Sequence, residues 1–209
     1  ASCPAPTSSS RPAAPRPSEL VSATTLIKWL HDMVLETADG SALDLATHET
    51  RMEDAFLAVF HGEAENDTFN VLVIAAGLDW REVSIMRAYG AYMRQIRAPF
   101  SPRYIAETLA RYPQITRDLH ALFKVRFEDP GNGALEPRVQ AATLIRQRIE
   151  DALQGVTGLD EDRIIRRVLN LIQATVRTNA FRFDASGRAE PTLAFKIAAR
   201  EVDRLPEPK

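Results

Sequence analysis

Four histidines, one cysteine and four lysines limit the chemistry this 209-residue chain can do. His31, His48, His61 and His120 contain no HxxxH pair, and none sits beside a cysteine, so a metal site would need ligands gathered by long-range folding. His61, just before Gly62, reads as a helix C-terminal residue favoured by the dipole. Cys3 lies in a proline-rich start, which excludes a disulfide framework and a cysteine-based metal site. GxGxxG, GxxxxGK and GxSxG are all absent, and Gly131-Asn132-Gly133 is only a turn. Acidic runs such as Glu53-Asp54 and Asp160-Glu161-Asp162 fall at expected helix starts or faces, where capping and solvation account for them. No catalytic, cofactor-binding or metal-binding residue is therefore assigned. The remaining candidates are arginines in GLDWREVSIMRAYGAYMRQI (77–96) and just beyond it: Arg87, Arg94 and Arg97, as interface or effector contacts.

Those arginines need elements to hold them, and the chain reads as mainly α. Residues 1–17 hold five of the 13 prolines and form an expected disordered tail. Ser18 caps an expected helix to about Glu36, and Asp39-Gly40 marks a turn. Thr50 and Glu53 have capping-box spacing for a second helix with the stripe Met52, Phe56, Val59 and Phe60, ending at Gly62. Val71–Ala76 fits a strand or a short buried helix, and its helical neighbours favour the helix. Asp79 and Glu82 cap the next helix. Trp80, Val83, Met86, Gly90 and Met93 adjoin a second stripe of Ile85, Tyr89, Tyr92 and Ile96, predicting a wide buried face. Gly90 implies a close crossing, because it weakens a helix by about 1 kcal/mol relative to Ala.

Pro99 stops that helix. Ser101-Pro102 restarts one as far as Tyr112-Pro113, and another follows to about Phe127. A turn at 129–133 precedes a helix from Pro137 to Gln154; Gly155 and Gly158 break it, and Asp160 caps the next. Alternation in TNAFRFD (178–184) and TLAFKIA (192–198) predicts two strands about a turn at Ser186-Gly187. A two-stranded ribbon is marginal alone, so it reads as the start of a larger sheet. The expected organisation is a tail (1–17), a helical domain (18–158), and a helix plus β-ribbon (159–209).

Net charge is −2, which argues against a dedicated nucleic-acid binder. Ser18–Leu78 carries 2 basic and 11 acidic residues, and Asp79–Arg126 carries 9 basic and 4 acidic. These neighbours could dock, although solvated helix faces explain the pattern as well. Residues 79–97 and 102–112 also allow a helix–turn–helix reading, but Pro99 and Pro102 are unlike that motif's tight turn. No apolar run approaches a membrane span, the start has no signal-peptide core, and a cytoplasmic setting fits the cysteine count. The chain does not begin with Met and is expected to be processed, or a piece of a longer polypeptide.

Residues 77–96 resemble the large bacterial NAD-specific glutamate dehydrogenases. So do ENDTFNVLVIAAGL (65–78), APFSPRYIAETLARYPQITRDLHALFKVRFEDP (98–130), LDEDRIIRRVLNLIQATVRTNAF (159–181) and LAFKIAAREVDRLPEP (193–208). The resemblance spans roughly residues 47–209. It implies a helical region just before the catalytic domain of an oligomeric oxidoreductase of amino-acid catabolism. That enzyme oxidatively deaminates L-glutamate to 2-oxoglutarate and ammonia with NAD. Lys28, Lys124 and Lys196 match none of the family's lysine motifs, so no catalytic or NAD-binding residue carries over. The fragment is expected to be inactive alone, to partner the rest of its own polypeptide, and to bind neither nucleic acid nor membrane. A stand-alone helical interaction module and a helix–turn–helix DNA binder are the alternatives.

Overall fold

The computed structural model describes residues 45–129, 135–185, 187, 189–203 and 205. Among them are seven α-helices: α1 Leu45–Phe60, α2 Val71–Ala75, α3 Trp80–Gln95, α4 Pro102–Arg111, α5 Pro113–Phe127, α6 Leu135–Leu153 and α7 Leu159–Ala174. Two strands, β1 Thr175–Thr178 and β2 Phe195–Ile197, pair antiparallel. The fold is the mainly α array with a short two-stranded sheet that the sequence predicts. The expected helix from Ser18, the turns at Asp39-Gly40 and 129–133, and Lys28 lie wholly or largely outside the described residues.

Local signals set most boundaries. The Asp79 side chain accepts from the Arg81 and Glu82 backbone N–H groups, and Glu82 Oε2 accepts from Asp79 N–H, completing a capping box on α3. Ser101 Oγ accepts from Tyr104 N–H at the start of α4, with Pro102 at its first position. Asp67 caps a 3-10 turn over Thr68–Asn70 that leads straight into α2, so Val71–Ala75 is helix, as favoured. Val83, Ile85, Met86, Tyr89, Gly90 and Met93 make α3 the wide buried face expected of it.

Four expectations need correction. First, α1 begins at Leu45, so Thr50 is inside the helix and caps nothing; Leu45–Glu49 contains no breaker. Two residues of its stripe also face outward, with Phe56 51% and Phe60 73% exposed, while Met52 and Val59 are half-buried. Second, α3 gives way at Ile96–Arg97, two residues before Pro99. Arg97 is left-handed (φ 58°), and Ala98 N–H bonds Met93 O across the end, as in a Schellman cap. Third, Gly158 caps α7, not Asp160. A Cβ on Gly158 would lie 2.6 Å from Glu161 Oε2, so a larger residue there would displace the Glu161 carboxylate. Fourth, the first strand starts earlier than expected. Thr175, Arg177 and Thr178 pair with Ile197, Lys196 and Phe195, with a bulge at Val176, and Phe183 contributes only an isolated bridge to Ala189.

One apolar core runs through the molecule. Phe69 and Leu72, then Met86, Tyr89 and Met93 of α3, continue into Ile105 and Leu109 of α4, Leu119 and Phe123 of α5, Ile149 of α6 and Ile164–Ile172 of α7, and reach Val202. Gly90 is the close approach expected, but its neighbour is a side chain rather than a crossing helix: a Cβ there would lie 2.5 Å from Phe69 Cζ.

Candidate functional site

The three arginines part company. Arg87 is 8% exposed and closes a polar knot. Its Nε donates to Asp67 Oδ2 (2.8 Å), Nη1 to Ser84 Oγ (3.1 Å), and Nη2 to Asn70 Oδ1 (2.7 Å) and Glu65 O (3.3 Å). This arginine fastens the segment before α2 onto α3, and it is where the acidic and basic stretches of sequence meet. Its donors are committed internally. Arg94, one heptad on, is exposed; it borders the same groove as Arg87 and a second groove against Phe195 and Ile197 of β2. Arg97 lies in a third groove with α7. Arg87 and Arg94 therefore share one rim, while Arg97 belongs to another surface.

A contact set that the sequence did not single out joins α3 and α5 to the C-terminal ribbon. Tyr89 Oη and Thr175 Oγ1 are 3.0 Å apart, and Thr175 Oγ1 is 2.7 Å from Leu171 O, which it meets as donor. The threonine proton goes to the carbonyl, so Tyr89 is the donor to Thr175. Burial raises the Tyr89 phenol well above its ordinary value, against the opposing effects of Thr175 and Arg126, so it stays protonated. Around this bond stands an aromatic cluster. Tyr89 meets Phe123 edge-on at 6.1 Å and Phe195 at 5.4 Å. Phe123 reaches Phe127 at 4.9 Å, Phe181 at 5.8 Å and Phe195 at 6.0 Å. Such pairs add about 0.5–1.5 kcal/mol each beyond area burial. The separate predictions for α3, α5 and the strands each contained these aromatics; only long-range packing brings them together.

Polar contacts complete the seam. Arg126 Nη2 donates to Gln173 O (3.0 Å) and Thr175 O (3.3 Å), satisfying carbonyls where α7 becomes β1. Asn179 stands in for a strand residue, donating to Thr192 O and accepting from Ala194 N–H. Asn170 donates to Glu201 O and accepts from Asp203 N–H.

Glu161 corrects another expectation, since it is buried rather than solvated. Its carboxylate takes the Arg111 guanidinium and the Tyr112 hydroxyl (2.6 Å to Oε2), tying the α4–α5 junction to α7. That bond raises the Tyr112 phenol above its ordinary value. His120 is also buried; its Nδ1 lies 3.5 Å from Glu82 Oε1 and its Nε2 has no partner. Burial lowers its pKa below 6.5, although Glu82 and Asp79 pull the other way, so burial favours the neutral ring. Among the described residues no group of three or more His, Cys, Asp or Glu side chains is placed to hold a metal ion. None of the described helices is long and apolar enough to cross a membrane.

This geometry places the comparisons with known proteins. Residues 64–129 match the model for glutamate dehydrogenase helical motif 3, and residues 148–209 match that for the bacterial NAD-glutamate dehydrogenase catalytic domain. The second match begins inside α6. The seam thus joins the two matched regions, with Tyr89, Phe123 and Arg126 on one side and Thr175, Phe181 and Phe195 on the other. Among relatives, the NAD-specific glutamate dehydrogenase of Halomonas elongata is 41% identical over 196 residues, covering 92% of this chain and 12% of the relative. That of Pseudomonas aeruginosa is 39% identical over 180 residues, covering 86% and 11%. That of Mycobacterium tuberculosis is 40% identical over 161 residues, covering 76% and 10%. The chain spans about a tenth of the length of these relatives, and the first of these matches reaches further toward the N-terminus than residues 47–209. With two regional matches in order along it and relatives near 40% identity, the chain belongs to the bacterial NAD-specific glutamate dehydrogenase family.

Proposed function

We propose that this chain is a non-catalytic framework segment of an NAD-dependent glutamate dehydrogenase, and that it supports the catalytic domain by holding its first strands. The parent reaction would be oxidative deamination of L-glutamate to 2-oxoglutarate and ammonia, with hydride passing to NAD. The observation that carries this reading is the buried seam. Tyr89 bonds Thr175 while Tyr89 and Phe123 pack on Phe195, so the ribbon sits on the helical motif through a core and not a linker. A ribbon of this size needs such support, because two strands alone are marginal in water. β1 offers an edge to further strands of the same polypeptide, which would be its principal partner; a cytoplasmic homo-oligomer completes the reading.

NAD would bind elsewhere in the parent. The described residues contain no strand followed by a glycine-rich turn and a helix: β1 follows α7, and β2 leads into a short 3-10 turn at Ala199–Glu201. They do not fit a dinucleotide, and no step of the reaction is assigned to them. The test is assay of the isolated chain beside the full-length enzyme carrying Phe123→Ala. The isolated chain should form no NADH from glutamate. The variant enzyme should lose activity together with thermal stability. NADH formation by the chain alone, or a fully active and equally stable variant, refutes the framework role.

An interaction module is the second reading. The exposed Phe56, Leu57 and Phe60 on α1 favour it, being a cluster of large apolar side chains facing outward.

A further inference from the structure

Arg97 occupies the residue after the α3 cap in the left-handed conformation, the position where helices commonly place glycine. A side chain retained there against backbone preference points to a use for that side chain. The fold does not use that side chain: the Arg97 backbone N–H bonds Arg94 O, but among the described residues its guanidinium has no hydrogen-bond or ion-pair partner. It faces an open groove of about 700 Å³ between the α3–α4 joint and α7.

The far wall of that groove is one stripe of α7. Asp162, Arg163, Arg166 and Arg167 follow one another at helical spacing, so their side chains share a face. Many of their donors are uncommitted. Arg166 uses only Nε, toward the Asp162 carboxylate at 2.9 Å. Arg163 uses Nη1, toward Asp160. Arg167 uses Nη1, toward the Asp203 carbonyl. Four guanidinium groups thus line the groove with two carboxylates, Asp162 and Asp203, and Asp160 pairs with Arg163 beside it, leaving a surplus of one positive charge. Pro99, Phe100 and Leu159 supply an apolar part of the lining.

We propose that this groove is a binding site for a small phosphomonoester, with the phosphate held between Arg97 and the α7 arginines and the organic part against Pro99 and Phe100. A phosphate carries about −1.5 to −2 charges at neutral pH, which a positive surplus attracts, and its oxygens accept the forked donors that guanidinium groups present. The groove lies on the opposite end of α7 from the Tyr89–Thr175 seam, so this inference stands apart from the framework role.

The experiment is calorimetric titration of the 209-residue chain with phenyl phosphate, alongside Arg97→Gly and Arg166→Gln. Glycine suits the backbone at residue 97, so that variant removes the guanidinium without harming the fold. Saturable binding is expected for the parent chain. It should weaken roughly tenfold or more in each variant, the scale of losing a charge-assisted contact, with no drop in the thermal midpoint of Arg97→Gly. Absence of binding, or equal affinity in the parent chain and Arg97→Gly, overturns the site. Benzoate binding as tightly as phenyl phosphate overturns the ligand class, and inorganic phosphate doing so overturns the role of Pro99 and Phe100.

Discussion

Tyr89 of α3 donates a buried hydrogen bond to Thr175, 86 positions later at the first residue of β1, and Thr175 passes its own proton to Leu171 O. The two hydroxyls are not equivalent. Tyr89→Phe leaves Thr175 with an empty acceptor but a satisfied donor, and should cost about 1 kcal/mol. Thr175→Val strands the Tyr89 hydroxyl in the core and removes both bonds, and should cost about 2–3 kcal/mol. Urea unfolding of both variants checks the order. A larger loss for Tyr89→Phe would mean that the proton runs the other way.

Gly90 and Phe69 set a second test. A Cβ at residue 90 would press on the Phe69 ring, which is buried and has nowhere to retreat. Gly90→Ala gains about 1 kcal/mol of helix propensity but overpacks the core by about 1–3 kcal/mol, so the net effect should be destabilising. Adding Phe69→Leu should recover part of the loss. A stabilised Gly90→Ala variant would show that the ring moves freely.

Arg87 and Arg94 stand one heptad apart on α3 and should respond differently. Arg87→Met removes contacts to Asp67, Asn70 and Glu65 and should cost about 2–4 kcal/mol. Arg87→Lys should recover little, because one ammonium cannot span acceptors matched to a fork. Arg94→Ala, on an exposed side chain, should stay within about 0.5 kcal/mol. Thermal melts of the three variants decide; equal losses at both positions would remove the distinction.

The same pair shows how far the sequence could be read. Capping signals are local, so Asp79 with Glu82 and Ser101 with Pro102 located α3 and α4, and the paired stripes of α3 foretold its burial. The family was legible too, because long matching stretches need no fold to be seen. Signals settled by distant partners were not legible. Arg87 looks like any arginine until Asp67 and Asn70 fold back on it. Gly158, not Asp160, is the cap, and the Glu161 side chain beside it is held in place by Arg111 and Tyr112, partners that no local pattern reveals. Alternation in residues 178–184 suggests a strand, yet Asn179 adds side-chain bonds where the ladder ends, and beyond Thr175–Thr178 only an isolated bridge at Phe183 remains. Arg163, Arg166 and Arg167 carry no local signal of a shared groove, which exists only once the fold sets Arg97 opposite them.

His120 gives the pH dependence. Burial holds its folded-state pKa below the ordinary 6.5, so as pH falls the unfolded chain takes up this proton first. Its contribution to stability is therefore whole above about pH 6.5 and is lost progressively below it, down to the folded-state pKa. Glu82 opposes the shift through its charge, and it also completes the α3 capping box. Glu82→Gln keeps an acceptor for the box and removes the charge, so the His120 pKa should fall further. The urea midpoint should then drop more in Glu82→Gln than in the parent between about pH 7.5 and about pH 5. An equal or flatter profile in the variant would mean that the Glu82 charge does not act on His120, and a parent midpoint that rises on acidification would mean that the ring is charged in the folded protein.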